Sequence, residues 1–410
     1  MVESKKTILS NGVRLLSERH PTVPAVHLGF WFMTGTRDEP TGQQGISHLL
    51  EHFVFKGTKK RNSYEIALSL EAVGGELNAF TTKEYTCYHT VSLAEHLDLS
   101  IDVLADLVFG ATLPIGEFEK EKKVVIQEIS MAREDYSEHI YDVFMKNCFR
   151  SNAMGTPILG NKKSITALAR KDVRAYMQGR YNTENLVITV VGALDHKKLV
   201  QKFEKRLKAA PRQGVNVVRE SPQFTTFQKR ITCPSEQTHV LMGFPTASLK
   251  DPDRYESYFV STLLGGGMTS RLYQKLRERY GLAYSVYAYL YTFLDSALSY
   301  YYVATEKKNA TRSMEMVVKE LKSLRKNGLQ KSDLELYRTQ MRGHLLLASD
   351  DLENRMMNLA YNEMIFGRQR TIAEIVKEID QISLGSLHAY IERYVDPDRI
   401  SSVTMGDLRD

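Results

Sequence analysis

The sequence predicts an α+β protein of two homologous halves, each a largely antiparallel sheet with packed helices, joined by a linker. Three observations point there. The chain has 410 residues, too long for one compact core and suited to two domains. A segment repeats: "AYMQGRYNTENLVITVVGAL" from Ala175 and "AYIERYVDPDRISSVTMGDL" from Ala389 stand 214 positions apart. Strands come in adjacent pairs rather than in strict βαβ alternation, which argues for antiparallel sheet.

Each copy of the repeat reads as a helix end, a short polar turn and a β-rich strand closed by glycine. Gly192 and Gly406 each fall 17 positions after the opening alanine. His27 in "VHLGFWF" and His239 in "HVLMGFP" are 212 apart, and both open an apolar strand. Between the halves, "AAPRQGVNVVRESPQFTT" carries Pro211, Gly214 and Pro222 without strong periodicity, so it reads as the linker. The boundary is expected near 210–223, separating residues 1–210 from 223–410.

In the first half, "TILSNGVRLLSE" is a hairpin signal around Asn11-Gly12. A strand is expected near Ala25–Met33, helices near Gly45–Phe55 and Ser63–Val73, and strands near Leu77–Thr90. Long helices near His96–Phe109 and Glu117–Phe149 follow. The second half repeats the order: strands near Phe227–Phe244, helices near Arg254–Arg279, strands near Ala283–Thr305, then helices.

Composition excludes little but bounds the class. A formal charge of +6, from 55 basic against 49 acidic residues, leaves no basic stripe for nucleic acid. Three isolated cysteines without a CxxC pair suit a reducing compartment rather than a disulfide framework. The N-terminus lacks the apolar run of a signal peptide, and no apolar stretch approaches the ~20 residues that span a bilayer. The expectation is a cytoplasmic protein with no membrane partner.

The chemistry concentrates in "GISHLLEHFVFKGT", Gly45 to Thr58. Taken as a helix at about 100° per residue, Ile46, Leu49, Leu50, Phe53 and Val54 share one stripe. His48, Glu51 and His52 fall on the opposite side. Two imidazoles at i and i+4 with a carboxylate beside them suit a zinc ion, which prefers His ligands. They leave a catalytic zinc one ligand short. Glu121 and Glu128, seven apart in "EKEKKVVIQEISMARED", point to one side of a long helix with Val124 and Val125, and either could serve. "GGELNAFTTKEYTCYH" reads as a turn into a strand, either an internal one or an edge able to pair with an extended peptide.

H-x-x-E-H, with a glutamate 76 positions after the second histidine and another seven before that, resembles the inverzincins, the family of pitrilysin, insulysin and mitochondrial processing peptidase. The likeness spans essentially the whole chain. "GISHLLEH", "GGELNAFTTKEYT" and "SRLYQKLRERYGLAYSVY" look like the short-chain, processing-peptidase branch.

The resemblance implies one Zn²⁺ per chain, with His48, His52 and Glu128 as ligands and Glu51 as general base. It gives Glu121 a supporting role and Asn78, Ala79 and Phe80 a substrate-holding one. Arg277 and Tyr284 match the family's substrate-binding pair. Tyr284 could also donate to the oxyanion and Arg277 could fix a substrate carbonyl or carboxylate. The implied activity is a zinc endopeptidase acting on extended peptides or presequences. The alternative is a non-catalytic member that binds peptides or scaffolds an assembly. Because family members enclose peptide in a chamber of four such halves, a homodimer is expected, or a heterodimer with a degenerate homologue.

Overall fold

The computed structural model describes residues 4–215 and 218–409; residues 216 and 217 of the expected linker and the first three of the N-terminal segment lie outside them. Eleven strands form two sheets among the described residues. The first sheet holds β1 (Ser4–Ile8), β2 (Arg14–Arg19), β3 (Ala25–Phe32), β4 (Glu76–Thr81), β5 (Thr86–Leu93) and β6 (Leu186–Gly192), in the order β1-β2-β6-β3-β5-β4. The second holds β7 (Gln228–Thr232), β8 (Thr238–Pro245), β9 (Ala283–Thr292), β10 (Ala297–Thr305) and β11 (Ser401–Gly406), in the order β7-β11-β8-β10-β9.

Leave out β1 and the orders coincide. In each sheet one parallel pair (β2 with β6, β7 with β11) adjoins three antiparallel pairs. The register carries the repeat to single residues. His27 lies opposite Val191, and His239 opposite Met405, each the residue before the strand's terminal glycine.

The helices follow local rules. α1 (Ile46–Val54) and α2 (Ser63–Glu71) cross from β3 to β4. α2 opens on a capping box in which the Asn62 side chain accepts from Glu65 N–H and Glu65 reaches back to Asn62 N–H. α3 (Leu97–Gly110), α4 (Ile115–Glu134) and α5 (Tyr136–Cys148) follow β5.

Two expectations need correction. The single helix 117–149 is two helices, because Asp135 takes an extended conformation and caps α5, accepting from Ser137 and Glu138 N–H. Val124 does not join the inward surface of α4: it is 41% exposed, while Val125 is buried. The helices expected near Arg254–Arg279 are present, as a helix to Gly265, a turn, then a short helical turn and a π-helix ending at Arg279.

The compact units also differ from a cut into 1–210 and 223–410. One comprises the residues up to Ser130 with Thr156–Arg219 and Ala348–Gln369; the other comprises Met131–Gly155, Glu220–Leu347 and the residues from Arg370 on. Each sheet recruits a helix from the other half of the sequence. α5 lays Phe144 edge-on to Tyr300 and Phe227 of the second unit. The helix Leu352–Phe366 buries Met356 and Leu359 on Trp31, Val187 and Val191 of the first sheet. A buried carboxylate fixes it: Arg355 Nε donates to Glu18 Oε1 at 2.6 Å, its Nη2 contacts Glu18 Oε2, and His20 Nε2 sits 2.6 Å from Oε1.

Removing one member of a buried ion pair strands the other charge. Arg355→Met should therefore cost about 3–5 kcal/mol in urea unfolding. A loss below about 1 kcal/mol, as for exposed pairs, would show that Glu18 does not depend on it.

Candidate metal centre

Five apolar side chains of α1 (Ile46, Leu49, Leu50, Phe53 and Val54) are fully buried in the core of the first unit. The period of 3.6 then aims His48, Glu51 and His52 away from that core. The start of α1 needs glycine. Gly45 has φ +88°, and a Cβ there would lie 2.6 Å from the Leu159 carbonyl oxygen. The exposed N–H groups of that turn are met by a distant carboxylate: Glu39 accepts from Gly45 N–H at 2.8 Å and Ser47 N–H at 2.9 Å.

α4 runs past this polar face, with Phe118 on Phe53 at 5.5 Å between ring centroids. Glu128 Oε2 lies 4.0 Å from His48 Nε2 and 3.7 Å from His52 Nε2. The three ligand atoms all fall within 4.8 Å of one another. Zn–N and Zn–O bonds of about 2.0–2.2 Å in tetrahedral array put ligand atoms roughly 3.3–3.5 Å apart, so small side-chain adjustments close the site.

The fit shows in an orphaned atom. Glu128 Oε2 is buried and has no hydrogen-bond partner, as is His48 Nδ1. A buried carboxylate oxygen that faces two imidazole nitrogens without a hydrogen bond is costly unless a cation joins them. Burial pushes His48 down to about 4, with the neighbouring His52 acting the same way, so its imidazole is in the neutral, ligating form at neutral pH.

Glu121 is 4% exposed and holds the other side of His52, with Oε2 3.5 Å from Nδ1 and Oε1 2.8 Å from Lys56 Nζ. Burial alone would raise its carboxyl, but His52 and Lys56 overcome it and hold it below the usual range. That contact in turn holds His52 above its ordinary value. A carboxylate on Nδ1 orients the ring and leaves Nε2 for a metal. Glu51 is raised by burial, and Thr81 Oγ1 donates to its Oε2 at 2.5 Å.

β4 is an edge strand of its sheet, which carries Asn78, Ala79 and Phe80 to that edge. Their side chains alternate. Ala79 packs toward the core beneath α1, whereas Phe80 meets Trp31 at 5.9 Å and His89 at 5.9 Å on the opposite face. Arg277 and Tyr284 come together in the second unit: Arg277 Nη1 donates to the Tyr284 carbonyl oxygen at 2.7 Å and stands over Tyr273 at 5.2 Å. The Tyr284 side chain, at the start of edge strand β9, is 64% exposed.

Three contributors escape sequence reasoning. Lys56 continues the i, i+4 series of His48 and His52, a signal that was present. Glu39 and Thr81 reach α1 through tertiary contacts and leave no periodic trace.

Site and fold define a class: a two-unit α+β protein with residues arranged as a three-ligand metal centre. Residues 14–162 match the model for insulinase (peptidase family M16), and 167–341 the model for the peptidase M16 inactive domain. The chain belongs to peptidase family M16. A Bacillus subtilis protein described as an uncharacterized zinc protease is 35% identical over 93% of this chain and 93% of its own length. One from Mycobacterium tuberculosis, so described, is 33% identical over 98% of this chain and 93% of its own. In fold, the chain is similar to a peptidase M16 inactive domain from Pseudomonas fluorescens, with TM-score 0.92, 18% identity and 98% of both chains covered. It is also similar to a protease from Helicobacter pylori, with TM-score 0.91, 18% identity and coverage of 99% and 100%.

The cap on α1 has a pH signature. Burial pushes Glu39 up to about 7, against the pull of the Ser47 and Gly45 N–H groups. A folded value above the unfolded one makes the stabilisation complete below about 4.5 and lost as pH rises through about 7. The stability of the wild type relative to Glu39→Gln should therefore fall between roughly pH 4.5 and 7 in thermal melts. A flat difference across that window would mean that Glu39 is ionised throughout.

Proposed function

We propose that the chain is a zinc-dependent endopeptidase that hydrolyses extended peptides or presequences, with one Zn²⁺ held by His48, His52 and Glu128. The observation that carries this reading is the orphaned Glu128 oxygen between two imidazoles, with the Glu51 carboxylate on the same helix face. The names of the relatives, zinc proteases, support it. No helix among the described residues is long and apolar enough to cross a membrane.

When bound, zinc supplies a Lewis acid for the scissile carbonyl and lowers the pKa of a water toward about 7. The protein's own groups do the rest. Glu51 takes a proton from the attacking water and passes it to the leaving amine. Glu121 and Lys56 hold His52 in register. The outer edge of β4 around Asn78, Ala79 and Phe80 can pair with an extended peptide once the Asn78 side chain gives up the Ala79 N–H it accepts at 2.8 Å, which aligns the scissile bond along the edge. Tyr284 and Arg277 supply an oxyanion donor and a backbone or carboxylate anchor.

We further propose that two chains act together, as a homodimer in which Arg277 and Tyr284 of one chain serve the zinc centre of the other. A heterodimer with a degenerate homologue is the competing assembly.

Chelation should abolish peptide cleavage and Zn²⁺ should restore it; a binding or scaffold protein would show no cleavage in either state. Glu51→Gln should retain zinc yet lose kcat by about 10²–10⁴-fold. His48→Ala, His52→Ala and Glu128→Gln should instead lower the metal content itself. Full zinc in Glu128→Gln would transfer the third ligand to Glu121.

Mixing Glu51→Gln chains with Tyr284→Phe chains should regain activity at one site of the mixed dimer, while each single-variant protein stays poor. No gain after verified subunit exchange means that the pair does not act in trans. Weak activity of a pure, correctly sized dimer favours the heterodimer.

A further inference from the structure

Thr81 ends the edge strand β4 and is 9% exposed. Side chains along a strand alternate, so Leu77, Ala79 and Thr81 share the face toward α1, and Leu77 and Ala79 pack into the core beneath it. Thr81 has a different task at the end of that row. Its Oγ1 donates to Glu51 Oε2 at 2.5 Å, and it is Glu51's one hydrogen-bond donor among the described residues.

The hydroxyl stands on a rigid base. Thr81 pairs with Thr86, and the hairpin tip beyond it closes with Thr82 N–H donating to the Tyr85 carbonyl at 2.9 Å. That tip is pinned to the loop after β3 by Thr36 N–H on the Thr82 carbonyl and Arg37 N–H on the Lys83 carbonyl. Buried ion pairs brace the same contact: Arg37 with Glu84 at 2.8 Å, and Arg219 with Asp38 at 2.7 Å.

We propose that Thr81 is the positioning residue for the general base, an inference that rests on the peptidase reading above. A carboxylate on a helix face has two equivalent oxygens and free rotation about its terminal bonds. Occupying Oε2 with a fixed donor fixes the carboxylate plane and leaves Oε1 as the oxygen that receives the proton. The donor belongs to the strand whose edge would align the peptide. Base and peptide are therefore referenced to one element, and their relative placement does not depend on α1 and β4 holding register by packing alone.

The test is Thr81→Val, which removes the hydroxyl at nearly constant shape, beside Thr81→Ser, which keeps it. Thr81→Val should lower kcat about tenfold with KM unchanged, and Thr81→Ser should stay within about twofold of wild type. Zinc affinity, measured by competition with a chromogenic chelator, should be the same in all three, because no ligand is touched. In the Glu51→Gln background, Thr81→Val should cause no further loss.

A Thr81→Val enzyme with wild-type kcat overturns the proposal. So does an equal further loss in the Glu51→Gln background, or a kcat loss that tracks weakened zinc binding. Thr81→Ala takes the place of Thr81→Val should the latter not fold. A zinc-loaded wild type without peptidase activity sinks the peptidase reading itself, a result distinct from an active wild type with an undiminished Thr81→Val.

Discussion

The site depends on one constraint, the burial of the apolar stripe of α1. Burying each of its five fully covered side chains is worth about 1.5–3 kcal/mol, so the stripe contributes on the order of 10 kcal/mol. Turning the helix by one residue, about 100°, would trade that burial for buried imidazole and carboxylate. The rotation of α1 is therefore set by the core, and the direction of His48, Glu51 and His52 follows from it. Gly45 and Glu39 fix the remaining freedom, the point where the helix starts.

What the core aims, the electrostatics of α4 completes. Two carboxylates seven residues apart approach the same imidazole from two sides, yet they are not equivalent. Glu121 is satisfied by Lys56 and His52 and sits below the ordinary carboxylate range. Glu128 leaves one oxygen buried and unpaired. Of the two, Glu128 is the one whose unpaired oxygen faces both Nε2 atoms.

Legibility followed locality. The stripe of α1, the β1–β2 hairpin at Asn11-Gly12 and the paired strands were readable because period 3.6, period 2 and turn chemistry are written in neighbouring residues. The repeat was readable because it recurs, down to His27 and His239, each paired with the residue before an equivalent glycine. The break at Asp135 was obscured because the apolar pattern runs across it and one polar residue does the capping. The exchange of α5 and the helix Leu352–Phe366 between the units could not be read at all, since both are amphipathic helices whose partners lie in the other half of the sequence. For the same reason Glu39 and Thr81 had no signal, while Lys56 did.

The two units separate scaffold from chemistry. Strand order, pairing sense and register are shared, and the helix Arg254–Gly265 packs against edge strand β9 as α1 packs against edge strand β4. The helix Arg254–Gly265, "RYESYFVSTLLG", has no histidine, and its buried residues include Ser257 and Ser261. Burial of one helix face requires only that apolar residues recur at the right period, so the fold survives any choice on the other face. A metal centre requires imidazoles at i and i+4 and a carboxylate brought in by a second helix, all at once. The repeated fold thus supplies two edge strands and two helix faces, and among the described residues the face in the first unit is the one that brings together a His, His and Glu set able to hold a metal ion.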